Sequence, residues 1–432
     1  MDIVINPPQG QWKGLCSRVV ADDAAIEGRV RAILDRVRTG GDAALVEITR
    51  EVEGREMPSG VEASNPFLVS SEQIAAAANE VGDAVKEAIA AAAANIRAFH
   101  SAQKPAPVEV ETMPGVRCMR RSLPIERVGL YIPGGSAPLF STLLMLAIPA
   151  KNAGCREIVL CTPAGRDGKV APSVLYAASV CGVDTIYSLG GAQTIAAMAF
   201  GTETIAPVNK IFGPGNRYVT KAKQLVAATG VAIDMPAGPS EVMVMADDTA
   251  DVRFVASDLL SQAEHGPDSQ AILVCKSSDF AAKVQAEVDR QLALLPRRDI
   301  AQKALGNSRI VVMEDHNRAV AFANAYASEH LIIATRNPWD IAEKITAAGS
   351  VFIGHYSPES AGDYASGTNH TLPTMGLASA WSGIGLDSFM HSITYQELTR
   401  EGLASLGKTI TTMAEAEGLD AHAAAVRIRL ER

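Results

Sequence analysis

Paired thiols are missing from this chain. Its six cysteines, at positions 16, 118, 155, 161, 181 and 275, never form a C-x-x-C arrangement, which argues against both a thiolate zinc site and a disulfide scaffold. Cys155, Cys161, Cys181 and Cys275 lie in or beside apolar runs and read as small core residues. Cys16 and Cys118 have no neighbouring motif, so a structural and a reactive role both stay open for them. No apolar run approaches the roughly 20 residues that span a bilayer, and Met1 to Trp12 has neither a basic nor an apolar leader-like region. A soluble, cytoplasmic protein without membrane partners is expected. Basic blocks are absent too: 39 Lys and Arg are interspersed among 48 Asp and Glu for a net charge of -9. Nothing there tracks a phosphate backbone, and a nucleic-acid partner is not expected.

What is present is length and apolar content. The 432 residues, 47% of them hydrophobic, exceed one compact core and predict two. From Val128 onward, short β-rich runs (Val128–Ile132, Ile158–Cys161, Thr185–Ser188, Lys210–Phe212) alternate with helix-like segments. A second series follows Ser240, comprising Glu241–Met245, Ala271–Val274, Ile310–Val312, Leu331–Ile333 and Val351–Ile353. Both series read as βα units on parallel sheets. Ala-rich stretches at Ala24–Arg38 and Ser71–His100 predict helices before them, the second opened by the capping signature Ser70-Ser71-Glu72-Gln73. After Asp387 the pattern predicts helices over Gln396–Gly418 and His422–Arg432.

The polar residues concentrate in a few places. Between Asp251 and His265, apolar residues at 252, 255, 256, 259, 260 and 263 have helical period. At ~100° per residue, Gln262 and His265 share one flank and Glu264 takes the other. An amide oxygen and an imidazole one turn apart can share a metal, or can simply be a polar helix end closed by Gly266-Pro267. Glu329-His330 precedes a strand and should project toward opposite faces unless the loop bends. The pair suits acid–base work near neutral pH and equally suits a polar strand entry. The segment Gly362 to His370, with Asp363, Asn369 and His370 between two glycines, reads as a functional loop. Two Gly-rich stretches, Pro133–Pro138 and Gly213–Tyr218, could be tight turns or could cradle phosphate at a helix N-terminus. The second lacks the third glycine of G-x-G-x-x-G, so the usual dinucleotide fingerprint is absent.

Taken together, Val128–Gly135, Phe212–Asn216, Gly238–Glu241, Ser261–His265, Glu329–Leu331 and Gly362–Thr374 resemble the histidinol dehydrogenase family across nearly the whole chain. The ending, with Glu417 and His422, is similar as well. The resemblance implies two Rossmann-like α/β domains with small helical N- and C-terminal appendages: an arm over 1–23, a larger domain from 24–127 and 240–386, an inserted NAD-side domain over 128–239, and a tail over 387–432 that reaches a partner subunit. It implies zinc-dependent oxidation of L-histidinol through the aldehyde to L-histidine, with two NAD reduced, in histidine biosynthesis. By the same resemblance, Gln262, His265, Asp363 and His422 hold one zinc, with the imidazole and amine of the substrate completing the sphere. His330 takes the alcohol proton, and Glu329 activates the water that hydrates the aldehyde. Ser240, His370 and Glu417 join the metal ligands and His330 as substrate contacts, while Tyr131, Gln193 and Asn216 contact NAD. His422 and Glu417 are expected to act across an intertwined homodimer. Two rival readings are a related NAD-dependent zinc dehydrogenase acting on another small alcohol, such as a sulfonated diol, and a zinc hydrolase using Glu329.

Overall fold

The computed structural model describes residues 1–18, 24–55, 65–134, 138–165 and 167–431. Part of the expected arm and the centre of the first Gly-rich stretch, 135–137, lie outside these residues. The strands in chain order are β1 (Asp2–Ile5), β2 (Val108–Met113), β3 (Val116–Pro124), β4 (Arg127–Tyr131), β5 (Glu157–Thr162), β6 (Ile186–Ser188) and β7 (Lys210–Phe212). There follow β8 (Ala232–Ile233), β9 (Glu241–Ala246), β10 (Gln270–Cys275), β11 (Arg309–Val312), β12 (His330–Ala334), β13 (Ser350–Ile353) and β14 (Met390–Leu398). They make a parallel five-stranded sheet in the order β6-β5-β4-β7-β8 and a parallel six-stranded sheet in the order β1-β11-β10-β9-β12-β13. The α/β class with parallel sheets is therefore as expected. In both, the inner strands are continuous apolar runs because helices cover each face.

Several features depart from what the sequence led one to expect. An antiparallel sheet, β14-β3-β2, occupies 108–124, where no element was expected, and 390–398, whose end falls in the expected Gln396–Gly418 helix. Gln396 opens no helix; it belongs to β14, and the tail helices are Arg400–Ala416 and Asp420–Leu430. β1, in the expected arm, extends the six-stranded sheet beside β11. Finally, the helices between 24 and 101 pack on the five-stranded sheet and not on the six-stranded one. Val30, Leu34, Leu45 and Ile48 share a core with Tyr131, Val159 and Ile211, and Ile89, Ala93 and Ile96 share one with Leu130 and Leu160. We therefore propose grouping 24–101 with the inserted domain.

Local chemistry sets the helix boundaries. Ser70 and Gln73 form the reciprocal capping box anticipated from their spacing, with bonds of 3.3 and 2.9 Å. The long N-terminal helix Ala24–Glu53 bends at Gly41, whose φ of 54° leaves the helical region. The expected Ser71–His100 helix is in fact two, Ser71–Glu80 and Asp83–Ser101, interrupted at the extended residues Val81 and Gly82. Cys155, Cys161, Cys181 and Cys275 are buried as anticipated, and burial pushes the Cys181 thiol up to about 12 and the Cys275 thiol to about 11. No helix among the described residues is long and apolar enough to cross a membrane.

Candidate active site

Polar side chains converge at the amino-terminal ends of β9 and β12, where His330 stands beside Val242 in register. The helix Val252–Ala263, capped at its start by Asp251, delivers Gln262 and His265 from its C-terminal end. Beyond β13, Pro358 precedes a short helix, Glu359–Tyr364, that turns Glu359 and Asp363 inward. Asp363 thus sits on a helix and not in the open loop expected of it. The ligand-capable atoms of His265, Glu359 and Asp363 all lie within 4.8 Å of one another. His330 Nε2 is 3.5 Å from Asp363 Oδ1, and its Nδ1 is 3.6 Å from Glu329 and 3.8 Å from Glu359. Glu329 and His330, adjacent in sequence, therefore meet; the chain bends at the strand entry.

Several of these atoms lack partners. Both side-chain atoms of Gln262, both carboxylate oxygens of Glu359 and Nε2 of His330 are buried without a hydrogen bond. A buried polar group left unbonded costs roughly 1–3 kcal/mol, so this concentration marks a site built for something that bonds there. A divalent cation suits the donor set of imidazole, carboxylate and amide oxygen. Glu329, in contrast, is held: it accepts from the Glu241 amide at 2.9 Å. Glu241 is itself clamped by Arg18 at 2.8 and 2.9 Å.

Burial and charge oppose each other here. Desolvation raises Glu329 to about 8 against the pull of His330, and Glu359 is raised for the same reason. Burial alone would lower His330, but Glu359, Glu329 and Asp363 outweigh it and hold the imidazole at about 10. Nδ1 faces the Glu241 carbonyl at 3.3 Å. A carbonyl only accepts, so Nδ1 carries a proton and Nε2 is the nitrogen free to exchange one. His265 is exposed at the rim, where desolvation by the surrounding groups lowers its pKa.

Comparison with known proteins decides the family. The family model for histidinol dehydrogenase matches residues 16–430. A histidinol dehydrogenase of Bacteroides fragilis is 53% identical over 431 residues, covering 100% of this chain and 99% of the relative. That of Salmonella typhimurium is 52% identical over 425 residues, covering 98% and 95%. The crystal structure of histidinol dehydrogenase from Elizabethkingia anophelis superposes with a TM-score of 0.96 at 50% identity, covering 100% of this chain and 98% of that one. The chain belongs to the histidinol dehydrogenase family.

Against this family background, the remaining expected residues fall into three groups. His370 lies beside the cluster, but both its nitrogens are engaged: Nδ1 donates to the Asp363 carbonyl at 2.8 Å and Nε2 faces the Thr142 hydroxyl at 3.1 Å. Asn369 donates to the Met145 carbonyl at 2.6 Å, so this loop fastens one sheet's helix to the other sheet's site. Ser240, half-buried, directly precedes β9. Tyr131 ends β4 of the five-stranded sheet, and Gln193 and Asn216 lie just beyond the carboxyl ends of its strands β6 and β7. Tyr131 accepts from the Gly191 amide, Gln193 donates to Glu53 and Asn216 caps helix Arg217–Ala227. Glu417 and His422 are exposed on the tail, outside the cluster formed within one chain. Glu359 was not anticipated, since Pro358 and Ser360 surround it with no motif; only a carboxylate shortly before Asp363 pointed to it.

Proposed function

We propose that this chain oxidises L-histidinol through the aldehyde to L-histidine at the amino ends of β9 and β12, reducing two NAD, as a step of histidine biosynthesis. The observation that carries the reading is the meeting of His265, Glu359, Asp363 and His330, with unbonded atoms on Glu359 and His330, Glu329 alongside, and the buried, unbonded Gln262 one turn before His265. Gln262, His265 and Asp363, joined by His422 of the partner subunit, would hold zinc, and Glu359 supplies a further carboxylate. A divalent ion, when bound, supplies charge that anchors an imidazole- and amine-bearing substrate and offsets the carboxylates holding a proton on His330. NAD, when bound near Tyr131, Gln193 and Asn216, accepts hydride.

His330 Nε2 removes the hydroxyl proton as the carbinol carbon is oxidised. Glu329 then takes a proton from the water that adds to the aldehyde, its raised pKa matching such an exchange near neutral pH. Ser240 and His370 line the substrate side, His370 held rigid by Thr142 and Asp363. Exposed apolar side chains on the tail support a homodimer: Met413, Leu419 and Ile428 are 60, 44 and 63% exposed. The deciding experiment incubates the purified protein with histidinol and NAD, with and without chelator, and counts NADH formed per histidine. Two per histidine with chelator sensitivity supports the reading; one per histidine, or indifference to chelation, overturns it.

A further inference from the structure

The cluster above occupies the amino ends of the six-stranded sheet, whereas open α/β sheets ordinarily bind ligands outside the carboxyl ends, where the strand order reverses. In this sheet the reversal is at β9, with β10 and β11 on one side and β12 and β13 on the other. A cavity of about 620 Å³ opens there, at the carboxyl ends of β9, β10 and β12. Its size falls within the roughly 300–1,000 Å³ of small-molecule sites.

Register places charges of opposite sign around its mouth. Ala246 pairs with both Cys275 and Ala334, so Asp247-Asp248 leave the central strand between Lys276 on one neighbour and Thr335-Arg336 on the other. Asp247 is pre-set by accepting from the Thr249 and Arg336 amides, each at 2.9 Å. Thr335 is only 8% exposed, lines the cavity, and has a hydroxyl with no hydrogen-bond partner. Lys276 and Lys344 flank His316, the first residue of the eleven-residue helix His316–Tyr326, whose N-terminus adds positive potential. The floor is aliphatic, from Met245, Val274, Met313 and Ile341. A dinucleotide does not suit this crevice, because the turn after β9 reads Asp247-Asp248-Thr249-Ala250, with two acids and no glycine where phosphates would approach.

We propose that this cavity binds a free α-amino acid with an aliphatic side chain. Its ammonium sets against Asp247 and Asp248, its carboxylate against Lys276 and the Thr335 hydroxyl, and its side chain against the aliphatic floor. The site is separate from the oxidation chemistry and does not depend on that assignment.

Isothermal titration of the full-length protein with L-leucine tests it, using 4-methylpentanoate and isoamylamine as probes that each lack one charge, and inorganic phosphate as a fourth. Saturable binding of L-leucine at one per chain is expected, with neither analogue binding comparably. Lys276→Gln and Asp248→Asn, both exposed, and the near-isosteric Thr335→Val should each weaken L-leucine by about tenfold or more while leaving the thermal midpoint unchanged. No saturable L-leucine binding, phosphate binding in its place, or L-leucine affinity unchanged in all three variants would each overturn the proposal.

Discussion

Glu359 carries the sharpest consequence at the scale of single residues. Its side chain is 1% exposed with both oxygens unbonded, beside the atoms of His265 and Asp363. Facing His330 at 3.8 Å but accepting no hydrogen bond, this buried carboxyl has capacity left for a further partner. Glu359→Gln should weaken binding of the proposed zinc by about 10- to 100-fold, the range found when a supporting group of a metal site is lost, read by competition with a chromophoric chelator. Unchanged affinity would leave Glu359 only its effect on the His330 charge. Asp258, on the neighbouring helix, makes a prediction about stability. Burial raises its carboxyl from 3.8 to about 7. The folded state therefore holds this proton more tightly than the unfolded one, and the stabilisation present below 3.8 is lost as pH rises through about 7. Asp258→Asn should have a higher thermal midpoint than the parent above that window and an equal one below it. A variant destabilised at both ends would mean that the carboxylate makes a favourable contact.

At the scale of elements, legibility followed burial. The inner strands were readable because parallel strands covered on both faces are unbroken apolar runs, and the Ser70 cap was readable because its partners lie three residues apart. β2 and β14 were not: β14 alternates nothing clearly and is almost wholly exposed, so only its pairing with β3 reveals it. The helix under Asp363 was hidden by Gly362 and the polar residues after it, since the packing that stabilises it comes from distant Phe352, whose ring leaves no room for a Cβ at 362. Gln262, His265 and Glu329-His330 could be singled out as polar groups on periodic elements, but their meeting point depends on tertiary distance. One turn makes this testable. Gly213 has a φ of 121°, and a Cβ there would collide with the Tyr131 carbonyl. Its amide is held by Asp234 and its carbonyl by Lys223. Gly213→Ala should displace the turn that carries Asn216 and raise the KM for NAD by several-fold while sparing that for histidinol. An equal rise in both would mean that the two sheets shift together.

For the whole molecule, the question is why the tail leaves the body at all. It is anchored at the β14-β3 pairing and where Gly402 crosses Gly115 so closely that a Cβ at 402 would meet the carbonyl. Beyond that crossing, its helices present apolar residues and carry Glu417 and His422 to the surface, away from the cluster that lacks them. The proposed exchange of tails in a symmetric dimer would account for both observations, because each cluster would then receive His422 from the other chain. Such a composite site obeys a counting rule. Mixing denatured Glu329→Gln and His422→Ala chains equally and refolding them yields hybrids for about half of all dimers, and in each hybrid one site collects both lesions while the other is intact. Two nearly inactive parents should therefore regain about a quarter of wild-type turnover on mixing, a recovery absent when each is refolded alone. If instead each chain supplied its own His422, every site in every hybrid would keep one lesion and mixing would restore nothing. The complementation assay thus separates a shared site from a self-contained one without requiring either variant to be active.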